Sequence, residues 1–161
     1  MADVLDFNGK TVLVVGGSSG IGNGIAQAFL RNGAQVHVWG TRAAASDYAG
    51  EEGSDLSGLS YAHMDVSDFA AVEAYAPPFA KLDVLVNCQG IVLYKRGEFA
   101  MEGFQRVIDV NLNSVMAVSM KFRAMLAASK GAIVSLTMAM AYDHFHDHVR
   151  VNVAIPGEIG R

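Results

Sequence analysis

Between an apolar, β-branched run (Thr11–Val15) and an amphipathic stretch beginning at Ile21 lies the segment Val15-Gly16-Gly17-Ser18-Ser19-Gly20-Ile21-Gly22. The run before it reads as a buried strand. Behind it, Ile21, Ile25, Phe29 and Leu30 keep close to helical spacing, and Gly33 follows as a stop. Glycines at such a turn allow a sharp reversal and let backbone N–H groups approach an anion. The helix N-terminus favours negative charge at the same place. A tight turn without a ligand is the plain alternative. The strand–turn–helix context that a pyrophosphate cradle requires is nevertheless complete.

The rest of the chain repeats the alternation. Gln35–Trp39, Leu59–Met64, Val84–Asn87, Ala132–Leu136 and Arg150–Ile155 read as further strands. Residues 43–58 are small, acidic and glycine-bearing, and predict a loop or short helix. A helical stretch from about Ser67 must end by Pro77-Pro78. A long helix is predicted from about Met101 to Ser129, with Phe104, Ile108, Leu112, Val115, Phe122 and Leu126 as its apolar stripe. This pattern predicts an α/β fold: a doubly wound, Rossmann-like parallel sheet of six strands in one domain spanning 1–161. Thr137–Val149 leaves only about a dozen residues to cross from the fifth strand to the sixth, near the minimum for a parallel connection. An apolar patch near Ile133, Val151 and Val153, and hence self-association, is the expected consequence.

Composition removes several function classes. With 52% apolar and 17% charged residues the chain is not disordered. Lys plus Arg is 12 and Asp plus Glu is 16, a net charge of −4 with no basic tract, so a nucleic-acid partner is not expected. The single cysteine, Cys88, fits a reducing compartment, and no apolar run reaches the ~18 residues of a membrane helix. A soluble cytoplasmic domain without a membrane partner is therefore expected. Cys88 reads as a small core residue with no basic neighbour to activate it. His144, His146 and His148 alternate with Phe145 and Asp147; this reads as a polar connecting loop, and no metal site is expected.

These motifs resemble the short-chain dehydrogenase/reductase family over Lys10 to Arg161. The turn is similar to the family's T-G-x-x-x-G-x-G, with Val15 in place of threonine. Asp65-Val66, after the third strand, resembles the family's acidic residue that binds the adenine ring, and Asn87-Cys88-Gln89-Gly90 the N-N-A-G segment beneath the adenosine. Asn111 matches the helix asparagine of the proton relay, and Pro156-Gly157-Glu158-Ile159 the P-G-x-I segment beside the nicotinamide. Asn111 also has an argument of its own: an amide on an apolar stripe needs a partner, either in a site or in neighbouring backbone. The resemblance implies an NAD(P)(H)-dependent oxidoreductase acting on a small carbonyl or alcohol, and a homo-oligomer. Gly16, Ser18, Ser19, Gly20, Ile21, Gly22, Asp65, Val66, Asn87, Gly90, Pro156, Gly157 and Ile159 are the implied cofactor residues.

The second strand ends in Gly40 where an NAD-selective protein usually carries an acid, and Thr41-Arg42 follow. A hydroxyl and a planar cation there favour NADP(H) over NAD(H), a solvated Arg42 being the competing reading. The sequence departs from the family in its Ser–Tyr–Lys set. Met138 stands where the serine is expected, with Thr137 as the adjacent hydroxyl; Tyr142 follows too closely, and its i+4 neighbour is His146. Thr137 and Tyr142 are thus weak catalytic candidates beside Asn111. A catalytically inactive nucleotide-binding module, or a chain incomplete at its C-terminal side, is the alternative.

Overall fold

Thr11–Val15 forms β1, and its alternation places Leu13 and Val15 on one face of the sheet and Val12 and Val14 on the other. All four are fully buried, which only a strand covered on both sides requires. The computed structural model describes residues 6–94 and 99–129. Within them β1 is followed by α1 (Gly20–Arg31), β2 (Gln35–Gly40), β3 (Ser60–His63), α2 (Phe69–Ala74), β4 (Val84–Asn87), α3 (Met101–Ile108) and α4 (Ser114–Ser129). The four strands are parallel, in the order β3-β2-β1-β4. The chain therefore builds outward from β1 to β3, then returns to the opposite side of β1 for β4.

Helix α1 lies against one face through Gly22, Asn23 and Ala26, small side chains that permit close approach, while Ile21 is exposed at its start. It ends as predicted at Gly33: the Gly33 N–H donates to Leu30 O at 3.0 Å and the Ala34 N–H to Phe29 O at 3.1 Å, a Schellman closure. The predicted loop between β2 and β3 contains a short 3-10 turn at Ala45–Tyr48. The opposite sheet face packs on α2 and α4, with Trp39 against Tyr75 at 4.8 Å and Phe122 at 5.7 Å between ring centroids.

The predicted helix over 101–129 is continuous but carries a π-helical turn at Asp109–Asn113. Its buried line is Val110, Ser114, Val118, Phe122 and Leu126. This corrects the expected stripe: Phe104 and Leu112 are exposed, and only Phe122 and Leu126 of that set are fully buried. The segment is apolar on two sides, and packing against the sheet selects the line that descends from Val110.

The predicted fifth and sixth strands, their crossover, the 144–148 histidines, and Ile133, Val151 and Val153 lie outside the described residues. So do Thr137, Met138, Tyr142, Pro156, Gly157 and Ile159.

Candidate functional site

The strand order reverses between β1 and β4, and a crevice opens beyond their carboxyl ends, where such sheets bind ligands. Gly16 leaves β1 with φ +75°, and a Cβ on it would stand 2.7 Å from Cys88 O, so the two strand ends close on each other through a glycine. Gly22 is equally constrained, since a Cβ there would lie 2.1 Å from Gly16 O. Gly17 and Gly40 are confined too, by Val38 and by Ser18 with Tyr48.

Ser19 stands at the N-cap of α1 with extended backbone and makes no side-chain capping bond. The first intrahelical bond runs from Asn23 N to Ser19 O at 3.1 Å, so the N–H groups of residues 20–22 have no acceptor inside the helix. That of Gly20 donates instead to Gly53 O at 2.8 Å. Buried Asn23 secures the same loop, its amide donating to Asp55 O at 2.8 Å and accepting from Asp55 N at 3.1 Å. Ile21 and Gly22, with no acidic residue in the first turn, are left to present their N–H groups to the crevice.

The crevice holds about 530 Å³ and is lined by Gly16, Ser18, Ser19, Ile21, Gly22 and Thr41, by Asp65 and Val66, and by Gly90. Six residues of the lining are not singled out for the site by the sequence: Trp39, Met64, Ser67, Ile91, Arg106 and Val110; Cys88 and Gln89 line it as part of the 87–90 segment. Arg106 comes from α3, sixteen residues beyond Gly90, and no local spacing links it to the turn. The Asp65 carboxylate accepts from Ser67 Oγ at 2.6 Å and Ser67 N at 2.9 Å. These bonds, with Arg106 and His63 nearby, hold it below the usual carboxylate range.

Among the described residues, four predicted ones are not part of the crevice lining. Gly20 has φ +54°, and a Cβ there meets no protein atom within 4 Å. Asn87 lies under the floor, 1% exposed, its amide donating to Ser119 Oγ at 3.3 Å. Asn111 lies beside the buried helix line and binds backbone: its Oδ1 accepts from Ile91 N at 2.8 Å and its Nδ2 donates to Ile91 O at 3.0 Å. It thereby holds the loop that forms one wall. Arg42 turns over the Tyr48 ring, 4.3 Å from its centroid, and pairs with Glu51. Burial raises the thiol pKa of Cys88, as expected for an unactivated core cysteine.

The residues suit a dinucleotide. A glycine approach that a Cβ would block, open N–H groups at a helix start and a shaped apolar floor match a pyrophosphate flanked by nucleosides. The fold and crevice together define a Rossmann-type α/β protein. The sequence model described as enoyl-(acyl carrier protein) reductase matches residues 15–141. The chain belongs to the short-chain dehydrogenase/reductase family.

It is 38% identical over 139 residues to the 3-oxoacyl-[acyl-carrier-protein] reductase FabG of Chlamydia muridarum, covering 80% of this chain and 55% of that one. The chain thus spans about half the length of such relatives. It is 30% identical to the L-fucose dehydrogenase of Mus musculus over 190 residues, covering 99% of this chain and 68% of the relative. That alignment is longer than the 161 residues present here, so it passes over a stretch of the relative that this chain lacks. A short-chain type dehydrogenase/reductase from Mycobacterium ulcerans superposes with a TM-score of 0.59 at 26% identity, covering 77% of this chain and 49% of that one.

Proposed function

We propose that the chain forms the dinucleotide-binding part of an NAD(P)(H)-dependent oxidoreductase that moves hydride between a nicotinamide and a small-molecule carbonyl or alcohol. One observation carries this reading: the open first turn of α1, the 88–91 loop and Asp65 meet along one crevice at the reversal of strand order. A bound nicotinamide supplies the hydride chemistry that side chains lack. Ser18, Ser19, Ile21 and Gly22 hold the pyrophosphate, Asp65 and Val66 the adenine end, and Gly90 the floor. Pro156, Gly157 and Ile159 flank the nicotinamide on the strength of the resemblance. Asn111, locked to the Ile91 peptide, is the relay residue, and Thr137 and Tyr142 are the hydroxyl candidates for proton transfer.

NADP(H) is favoured over NAD(H). β2 ends in Gly40, where Ser18 and Tyr48 leave no room for a carboxylate, and Arg42 follows two residues on. The protein is read as a cytoplasmic homo-oligomer. An exposed apolar line on the 101–129 segment supports the second point.

The alternative reading, a binding module without turnover, starts from Met138 at the serine position. One experiment tests both. Dinucleotide titration is paired with NADPH oxidation over a panel of carbonyl substrates. Binding with turnover is expected. Binding without turnover supports the module, and no binding removes the cofactor assignment.

A further inference from the structure

We propose that Glu51 tunes dinucleotide selectivity by competing with a ribose 2′-phosphate for Arg42, an inference that rests on the dinucleotide reading above. Three contacts hold the side chain of Arg42, the residue after the crevice-lining Thr41. Its Nη1 donates to Asp47 O at 2.6 Å, the same nitrogen pairs with the Glu51 carboxylate, and the guanidinium lies 4.3 Å from the Tyr48 ring centroid. Tyr48 is itself fixed. It is 4% exposed, its phenol oxygen accepts from Arg42 N at 3.3 Å, and a Cβ on Gly40 would stand 2.7 Å from it. Burial alone would raise the Tyr48 phenol, but hydrogen bonds with Ser18, the Arg42 backbone, Tyr61 and Thr41 lower it on balance. The loop is therefore a bonded unit.

Gly40 and Thr41 line the crevice, and Arg42 is the next residue. A 2′-phosphate presented there needs the planar fork of Arg42, which recognises carboxylate and phosphate with the same geometry. The Glu51 carboxylate already takes Nη1 of that fork. Arg42 and Glu51 side chains are 42% and 43% exposed, so their pair is solvated and can be displaced. A 2′-phosphate gripped through Nη1 displaces Glu51, whereas an unphosphorylated dinucleotide leaves the pair in place. Neither Glu51 nor the 3-10 turn belongs to any of the motifs that carried the resemblance.

The experiment measures binding of NADPH and NADH to the full chain, with adenosine 2′,5′-bisphosphate and adenosine 5′-monophosphate as smaller probes. It compares wild type, Glu51→Gln, Arg42→Ala and the double variant. Glu51→Gln is expected to tighten NADPH and the bisphosphate by about two- to fivefold, the scale of an exposed ion pair. NADH and the monophosphate should not change. Arg42→Ala should weaken NADPH selectively, and Glu51→Gln should have no effect in its background. An unchanged thermal midpoint shows that the loop substitution leaves the fold intact. The proposal is overturned if Glu51→Gln fails to raise the NADPH-to-NADH affinity ratio, if its gain persists without Arg42, or if Arg42→Ala affects both dinucleotides equally. A wild type that binds both but ignores Glu51 leaves the dinucleotide reading standing. A wild type that binds neither removes both.

Discussion

Gly16 and Gly20 both have backbone φ in the left-handed region, at +75° and +54°, yet their surroundings differ. At Gly20 the left-handed conformation is the main constraint, costing roughly 1–2 kcal/mol for an L side chain. At Gly16 a methyl would also be driven into the Cys88 carbonyl, 2.7 Å away, at the joint between β1 and β4. Gly16→Ala is therefore expected to lose about 2–4 kcal/mol of stability and at least tenfold in dinucleotide affinity. Gly20→Ala should lose only about 1–2 kcal/mol. Urea denaturation with parallel ligand titration checks both; equal losses would show that φ, not the Cys88 contact, dominates. The glycines were legible in the sequence because a strand-to-helix reversal requires them locally. Their separate reasons were not, since Cys88 and Gly53 reach the turn from distant parts of the chain.

Asp83 joins two elements at the end of the sheet away from the crevice. Its Oδ2 accepts from Thr11 N at 3.0 Å, its own N–H donates to Thr11 O at 2.9 Å, and its Oδ1 meets Lys81 Nζ at 2.6 Å. Burial opposes the charge, but Lys81, the Thr11 N–H and Lys10 outweigh it and hold the carboxyl below its ordinary value. A lowered carboxyl pKa stabilises the fold fully above the unfolded value of about 4, and the gain is lost as pH falls through the folded value. Asp83→Asn is expected to cost about 1.5–3 kcal/mol at pH 7, with the deficit shrinking below pH about 4. Denaturant midpoints across that range check the sign; a deficit independent of pH would assign the effect to packing. At the same scale, the 101–129 helix was legible as a helix, but its buried side was not. Its π turn and its two apolar sides leave local periodicity without a unique answer.

Over the whole described surface, the largest concentration of exposed apolar side chains runs along α3, the π turn and α4. Met101, Phe104, Leu112, Met116 and Met120 are all more than half exposed, with Met101 at 78%. Three of them, Leu112, Met116 and Met120, recur every four residues and so share a helix face. A continuous apolar line of this kind favours association, and a helix face meeting its own copy by two-fold symmetry is the simplest closed arrangement. Sedimentation velocity should find a dimer or larger assembly. The double substitution Leu112→Glu and Met116→Glu should shift it toward monomer with little change in thermal midpoint. A wild-type monomer would remove this face as an interface. Among the described residues no helix is long and apolar enough to cross a membrane.

The alternation of apolar runs, glycine turns and amphipathic stretches determined the parallel α/β sheet, its pyrophosphate-type turn and the family resemblance. These follow from local rules: strands buried on both faces must be apolar throughout, and a tight strand-to-helix turn must bear glycine. Tertiary structure alone decided that Arg106 enters the crevice from α3 and that Asn111 clamps the Ile91 peptide. It also turned Arg42 toward Glu51 and Tyr48, and left Gly40 no space for a side chain. Each of these is a contact set by how strands, loops and helices pack. Such contacts depend on distances between parts of the chain that spacing along the sequence does not encode.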